Sequence, residues 1–176
     1  LATILPDVLH LNTVETGFAF IMVGIALKLA LFPLHLWLPN AYTYAPSVVT
    51  VFLAATATKV AVYVMLRTMF TVFPQGFALT PPADALFIVA GIAGIIVASV
   101  YAIYQENIKR LLAYSSVAQV GYMVLGIGFA SATGLTAALV HLFNHALMKG
   151  ALFMAVGAII YRIGACRMDQ IHGLGI

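Results

Sequence analysis

Three lysines stand inside long apolar stretches of this sequence, Lys28, Lys59 and Lys149. A lysine at the centre of a membrane helix costs about 2.5–3.5 kcal/mol on insertion scales, so three would cost about 9 kcal/mol if nothing relieved them. Desolvation also makes a buried ammonium group give up its proton more readily. Side chains of this kind exchange protons near neutral pH, and we therefore predict that the three lysines belong to a proton path.

Snorkelling and a static packing charge are the alternatives to a proton path for these lysines. Snorkelling would bring each ammonium to the lipid headgroups. At about 1.5 Å per residue, however, each lysine is predicted to lie roughly 15 Å or more from the nearer helix end, beyond the reach of its side chain. A static buried charge would only fix helix packing, and this alternative stays open.

A histidine pair precedes Lys149 on the same predicted helix. His141, His145 and Lys149 follow one another at intervals of four residues, with Asn144 between them. This spacing places the three on one helical face, with neighbours about 6 Å apart. Because imidazole exchanges protons near neutral pH, the stripe predicts a relay linked by water molecules. Each histidine alone could equally be a core residue bonded to a backbone carbonyl.

Metal and haem binding are poorly supported by the same residues. Histidines four apart could share an ion, but no acid or cysteine on the predicted spans completes a ligand set, and Cys166 is the only cysteine. Two histidines one turn apart on one helix cannot be the two axial ligands of one haem. We predict no metal site. Gly150 and Gly157 predict that another helix approaches the stripe closely.

Other polar residues could support such a path. Pro33 follows Lys28 by five residues and predicts a kink, which membranes tolerate beside protein or a water-filled cavity. His35 lies near the predicted end of that helix, where an interface anchor and a relay role are both open. A polar strip on another helix could hold waters or bond helices together, and it comprises Ser115, Ser116, Gln119 and Tyr122.

The elements that position these residues follow from composition. Hydrophobic residues make up 64% of the 176 residues and charged residues 7%, which is too apolar for a soluble domain. Runs of about 20 apolar residues match the thickness of a bilayer. We predict an all-α polytopic membrane protein, with residues 1–176 forming one membrane domain. Its predicted spans are residues 17–38 (kinked at Pro33), 47–70, 83–104, 108–131 and 133–161.

Basic residues predict the orientation of these spans. Lys109, Arg110, Arg162 and Arg167 collect on one side, whereas Arg67 lies on the other. The positive-inside bias therefore puts the 39–46 linker, the 105–110 turn and the C-terminal tail in the cytoplasm, with 74–82 as a loop opposite. The net charge of +3 reflects this topology, so no nucleic-acid partner is predicted.

The charges also predict that the chain is an internal fragment. The first residue is Leu, and the opening residues lack the basic region of a signal peptide. The predicted spans contain no interior carboxylate, since Asp84 and Glu106 lie at span ends. Counter-charges for the lysines are therefore expected from helices or subunits outside this chain.

Four segments carry a family resemblance. They are KLALFPLHLWLPNAY (28–42), APSVVTVFLAATATKVAVY (45–63), NIKRLLAYSSVAQVGYM (107–123) and HLFNHALMKGALF (141–153). In this order they resemble the antiporter-like subunits shared by respiratory complex I (NADH-quinone oxidoreductase) and the multi-subunit Na⁺/H⁺ (Mrp-type) antiporters. The form with Lys59 is most similar to the D-type antiporter subunit and the related middle subunits of complex I.

The resemblance implies a fold of two inverted five-helix repeats, of which this chain holds the last two helices of one and the first three of the next. It implies that Lys28 pairs with an upstream glutamate outside the chain. It further implies that Lys59 passes the proton toward the centre and that His141, His145 and Lys149 carry it across the membrane plane. A downstream terminal residue would complete the path.

Partners and cofactors follow from the same resemblance. It implies other membrane subunits of a large hetero-oligomeric complex in a bacterial inner membrane or an equivalent energy-coupling membrane, carrying protons and, as a further candidate, Na⁺. The chain itself is expected to bind no cofactor, with quinone, FMN and iron–sulfur clusters confined to partner subunits. A non-conducting membrane anchor and a retinal protein are the alternatives. Coupling to NADH and quinone or to cation exchange is open.

Overall fold

The structure of the protein is a computed structural model that describes residues 12–73 and 83–171. Its helices are α1 (Asn12–Leu29), α2 (Trp37–Tyr44), α3 (Ser47–Val72), α4 (Ala83–Ile103), α5 (Ile108–Gly128) and α6 (Ala132–Ile163), followed by a 3₁₀ turn at Met168–Ile171. All except α2 and the 3₁₀ turn are long and apolar enough to cross a membrane. The all-α polytopic prediction is confirmed.

Helix α5 lies at the centre of the described part and is the most deeply buried span. It packs along α4 on one side and against α2 and α6 on the others. Two apolar clusters fill the space between the helices. One joins α1, α3 and α5 around Met65, Met69 and Val124, and the other joins α2, α5 and α6 around Tyr42 and Phe153. The polar residues of interest lie between and beside these clusters.

The prediction of one helix over residues 17–38 is wrong, because α1 ends at Leu29. Ala30 adopts a left-handed φ of 60°. Its N–H donates to the Leu27 carbonyl at 3.1 Å, and Leu31 donates to Ala26 at 2.9 Å. This pair of bonds is the Schellman arrangement that closes a helix. Pro33 then prevents the helix from resuming at once, because it lacks an N–H and disfavours helical geometry at the residue before it.

The linker predicted at residues 39–46 is largely helical, since α2 covers Trp37–Tyr44. Pro39 stands within the first turn of α2, where its missing N–H breaks no intrahelical bond. The four remaining predicted spans correspond to α3, α4, α5 and α6. The largest difference is at α5, which ends at Gly128 rather than at residue 131. The predicted 74–82 loop lies outside the described residues.

Three segments predicted on one side of the membrane do meet at one end of the helices. Ile108 N–H donates to the Cys166 carbonyl at 3.0 Å, and Met168 N–H donates to the Glu106 carbonyl at 2.8 Å. Arg167 pairs with Glu106 at 3.0 Å and with Asp169 at 3.2 Å. The Arg167 hydrogen bond lowers the pKa of the exposed Asp169 carboxyl. The third segment joins through the carboxyl end of α2, which bonds the Lys109 side chain.

Asn107 caps the amino end of α5 at this junction. Its side-chain oxygen accepts hydrogen bonds from the Lys109 and Arg110 N–H groups at 2.9 and 3.3 Å. Asn107→Ala is expected to destabilise the protein by about 1 kcal/mol, because these donors lose their acceptor. Thermal unfolding of the parent protein in detergent measures this loss, and Asn107→Asp is the control that keeps the cap. Equal melting of the alanine and aspartate variants would contradict the capping role.

Candidate functional site

Lys59 lies at the middle of α3, next to an irregular turn of that helix. Residues Leu53–Ala57 form a π-helical turn, and a second one covers Thr68–Val72. A π turn shifts backbone carbonyls away from their usual α-helical partners, and such turns are frequent at functional sites. The Lys59 ammonium donates to the Ala54 carbonyl inside this turn. Lys59 is 6% exposed, so its predicted burial at mid-span is confirmed.

Lys149 is buried on α6 and reaches across to α5. Its ammonium donates to the Leu112 carbonyl at 2.9 Å, and only 3% of the residue is exposed. The Ser116 hydroxyl donates to the same carbonyl at 3.0 Å. Both buried lysines are therefore held by neutral backbone carbonyls. A carbonyl stabilises an ammonium group by a hydrogen bond without adding the full counter-charge of a carboxylate.

His141 and His145 lie on one face of α6, as their spacing predicts, and their rings stack on one another. Their ring centroids are 6.0 Å apart and their planes differ by 3°. Within the described residues, Nε2 of His141 and both ring nitrogens of His145 are buried without a hydrogen-bond partner. An imidazole nitrogen that no protein group holds is free to exchange a proton with a neighbouring donor.

The lysines and histidines form one group between α3 and α6. Lys59 and Lys149 are close enough to interact electrostatically, and His145 interacts with both. The helices approach closely where α6 carries glycine, since a Cβ built on Gly150 would lie 3.7 Å from the Ala55 Cβ, and one on Gly157 would lie 3.3 Å from the Ser47 Cβ. The close approach predicted at these glycines is confirmed.

Carboxylates are absent from this group within the described ranges. Glu15 and Asp84 stand in the first turns of their helices, and Glu106 and Asp169 belong to the exposed junction beyond the spans. No set of three or more His, Cys, Asp or Glu side chains among the described residues is placed to hold a metal ion. Within the described residues the group thus consists of bases, which are side chains able to bind and release a proton.

Lys28 does not join this group. It is the penultimate residue of α1 and is exposed, so its predicted place at the centre of a continuous span is wrong. The Trp37 indole N–H donates to the Leu27 carbonyl at 2.8 Å beside it and covers part of the broken helix end. A lysine at a helix C-terminus is favoured by the helix dipole.

The predicted supporting residues do not lie together. Ser116 lies at the Lys149 acceptor, whereas Gln119, Tyr122 and His141 line a cleft of about 830 Å³ between α5 and α6. The Tyr122 ring stands edge-on to His141, with centroids 6.2 Å apart. Ser115 is half-buried and Asn144 is exposed.

His35 is buried instead of standing at an interface. Its ring stacks on Phe32 with centroids 5.4 Å apart and meets the Tyr114 ring edge-on at 6.4 Å. These are contacts to α5 and to the segment after α1. Among the described residues, no hydrogen bond or ring contact connects His35 to the lysine and histidine group.

The protein family described as NADH:quinone oxidoreductase/Mrp antiporter, TM, matches residues 1–175. The chain belongs to this family. It is therefore an integral, multi-pass membrane protein of the complex I and Mrp antiporter type, as the resemblance implied.

Two curated relatives and two solved structures show the extent of the match. NADH-quinone oxidoreductase subunit N of Desulforudis audaxviator is 41% identical over 174 residues, covering 99% of this chain and 34% of the relative. NAD(P)H-quinone oxidoreductase chain 4 of Prochlorococcus marinus is 34% identical, covering 90% of this chain and 28% of the relative. The chain thus spans about a third of the length of these relatives.

The structural neighbours belong to large membrane assemblies. The Mrp complex from Dietzia sp. DQ12-45-1b matches with a TM-score of 0.82 and 29% identity, covering 91% of this chain and 29% of that chain. The archaeal membrane-bound sulfane sulfur reductase matches with a TM-score of 0.78 and 32% identity, covering 89% and 32%.

Sequence reasoning missed two residues of this family member. Lys109, which had served only to predict orientation, is buried, and its ammonium donates to the Ala45 carbonyl at 2.9 Å, where α2 ends. Tyr42 is 1% exposed, and its hydroxyl donates to the Leu53 carbonyl at 3.2 Å, at the start of the π turn. No sequence signal marks the π turn, because Leu53–Ala57 contains no proline or glycine. The spacing of Tyr42 and Lys109 likewise reveals nothing about their acceptors.

Proposed function

We propose that this chain is part of a proton-translocating membrane subunit in which Lys59, the histidine pair and Lys149 relay protons. The observation that carries the proposal is the cluster of Lys59, His145 and Lys149, buried at mid-span between α3 and α6 with no carboxylate among the described residues. Intramembrane ionisable groups are rare and expensive, and they mark ion pathways. A cluster made only of lysine and histidine bases fits proton transport, because these side chains bind and release protons.

The carbonyl acceptors would let the two lysines both hold and release protons. The Ala54 and Leu112 carbonyls bond the ammonium forms of Lys59 and Lys149 but leave each charge uncompensated. Two like charges in one low-dielectric site repel, so protonation of one lysine promotes loss of the proton from the other. His145 and His141 extend from this pair toward the cleft lined by Gln119 and Tyr122. Protons would therefore move between the lysines and that cleft.

The remaining parts of the path belong to the rest of the parent complex. Lys28, exposed at the broken end of α1, would pair with an acid outside this chain. Energy would come from NADH oxidation and quinone reduction on partner subunits or from exchange against a cation such as Na⁺, and this chain would bind no flavin, quinone or iron–sulfur cluster. The named relatives are subunits of quinone oxidoreductases, and one structural neighbour is an Mrp complex.

A non-conducting anchor is the second candidate function. It is favoured by the fact that each buried ammonium has a fixed backbone acceptor, as expected of a charge that only locks helix packing.

The deciding experiment measures proton pumping by the parent complex in sealed vesicles, with Lys59→Ala compared with Arg67→Ala. Arg67 lies on the same helix but is exposed, so it is the matched control. We expect Lys59→Ala to lower the pumping rate at least about tenfold, equivalent to about 1.4 kcal/mol of barrier, and Arg67→Ala to leave it unchanged. Normal pumping by assembled Lys59→Ala complex would exclude the relay and leave the anchor.

A further inference from the structure

Tyr42 bonds directly to the irregular turn beside Lys59. Its hydroxyl donates to the Leu53 carbonyl at 3.2 Å, and the next carbonyl along, that of Ala54, accepts the Lys59 ammonium. Both acceptors belong to the π-helical turn Leu53–Ala57. Two side chains thus bond neighbouring carbonyls of one turn, one from inside α3 and one from α2.

The ring of Tyr42 also contacts α6. It packs edge-on against Phe153, with ring centroids 5.5 Å apart and planes at 90°. Phe153 follows Lys149 by four residues and so lies one turn away on the same face of α6. Tyr42 therefore touches both helices that carry the buried lysines, through its hydroxyl on α3 and through its ring on α6.

The backbone around Tyr42 is held in place. The Thr50 hydroxyl donates to the Pro46 carbonyl at 3.1 Å and also lies 3.3 Å from the carbonyl oxygens of Tyr42 and Ala45, so it sits among the three acceptors of this corner. The Lys109 ammonium donates to the same Ala45 carbonyl at 2.9 Å. The corner between α2 and α3 is thus tied to α5 as well. A side chain on such a corner keeps its direction, which a positioning role requires.

We propose that Tyr42 is a positioning residue that, through its hydroxyl, holds the π-helical turn of α3 so that the Ala54 carbonyl faces the Lys59 ammonium. The proposal rests on the proposed function, because it gives Tyr42 a role in setting the protonation of a relay lysine. Tyr42 itself does not carry the proton, since a hydroxyl bonded to a backbone carbonyl has that carbonyl, not the lysine, as its acceptor. The competing role is packing alone, in which only the aromatic ring matters.

The test compares Tyr42→Phe with Tyr44→Phe in the parent complex, using proton pumping in sealed vesicles over a range of pH. Tyr42→Phe removes the hydroxyl and keeps the ring on Phe153. Tyr44 lies on the same helix and is 83% exposed, so its phenylalanine variant is the matched control. Lys59→Ala is measured alongside, to report on the relay itself.

We expect Tyr42→Phe to assemble normally and to lower the pumping rate by about two- to tenfold, the range expected from losing one hydrogen bond. Its pH profile should move toward acid, because the ammonium form of Lys59 loses a well-placed acceptor. The other titratable groups on helices packed against this part of α3 are unchanged in the variant, and they are Glu15, Lys28, Tyr44, Lys109, Arg110, Tyr114, Tyr122, His141, His145, Lys149, Tyr161 and Arg162. Tyr44→Phe should match the wild type in rate and profile.

Two results would overturn the positioning role while leaving the relay intact. In the first, Tyr42→Phe pumps as the wild type does although Lys59→Ala has lost pumping. In the second, Tyr42→Phe pumps more slowly at every pH with no displacement of the profile, as a packing defect would. Undiminished pumping by Lys59→Ala is a different result, because it removes the proposed function on which this role depends.

Discussion

Lys149→Leu is expected to reduce proton pumping by the parent complex by at least about tenfold, which corresponds to about 1.4 kcal/mol of barrier. Leucine fills a similar space on α6 but has no group that binds a proton. The Leu112 carbonyl keeps the Ser116 hydroxyl as a donor, so no buried acceptor is left bare and assembly should be normal. Pumping in sealed vesicles, corrected for the amount of assembled subunit, measures the effect.

Two matched variants separate loss of the proton-binding group from loss of a hydrogen bond or of a charge. Ser116→Ala removes the second donor to the Leu112 carbonyl and leaves Lys149 in place, so its pumping should stay within about twofold of wild type, the effect of a weak hydrogen bond. Lys149→Arg keeps the positive charge but cannot release its proton, because guanidinium stays protonated in proteins. The relay requires Lys149→Arg to fail as Lys149→Leu does. An arginine variant that pumps normally would show that only a fixed charge is needed there.

Gly121→Ala is expected to lower the amount of assembled subunit by about fivefold or more, because overpacking at a helix contact costs about 1–3 kcal/mol. A Cβ built on Gly121 would lie 2.7 Å from the Gly91 carbonyl oxygen and 3.1 Å from the Ile95 nitrogen. Both atoms belong to the backbone of α4, so no side chain can move aside. The helices α4 and α5 would have to separate. Quantifying the subunit in membranes and its melting in detergent measures the loss.

Gly94→Ala is the control for this prediction. Gly94 lies on α4 at the same interface, but a Cβ there would meet the Phe32 Cβ at 3.4 Å and the Gly121 Cα at 3.9 Å, which are ordinary contacts. We expect it to assemble and melt as the wild type does. If Gly121→Ala assembled equally well, the close approach of α4 and α5 would not be a requirement of the fold.

These two predictions separate conduction from packing. Lys149 variants should change pumping at constant assembly, whereas Gly121 variants should change assembly and leave pumping per assembled complex intact. A buried lysine that served only helix packing would behave in the opposite way, since its removal would change assembly and leave pumping per assembled complex intact. Melting of Lys59→Ala and Lys149→Leu complexes therefore also bears on the anchor alternative.

The sequence by itself determined the features that depend on composition and helical period. Apolar runs of membrane length predicted the spans that became α3, α4, α5 and α6. The distance of Lys59 and Lys149 from charged and turn residues predicted their mid-span depth. Intervals of four residues predicted that His141 and His145 lie on one helical face, where their rings stack. These are local properties, because hydropathy and the 3.6-residue repeat are readable along a single helix.

Only the tertiary structure decided which groups the buried side chains bond. The sequence marks Lys59 and Lys149 as needing partners, but the Ala54 and Leu112 carbonyls become acceptors through a π turn and a neighbouring helix. The prediction that Lys28 stands inside one continuous helix was wrong because α1 closes at Ala30, three residues before Pro33. The roles of Tyr42 and Lys109 were also unpredicted, because both side chains bond backbone carbonyls. A backbone carbonyl has no identity in the sequence, so its availability is set by helix ends, irregular turns and the packing of distant segments.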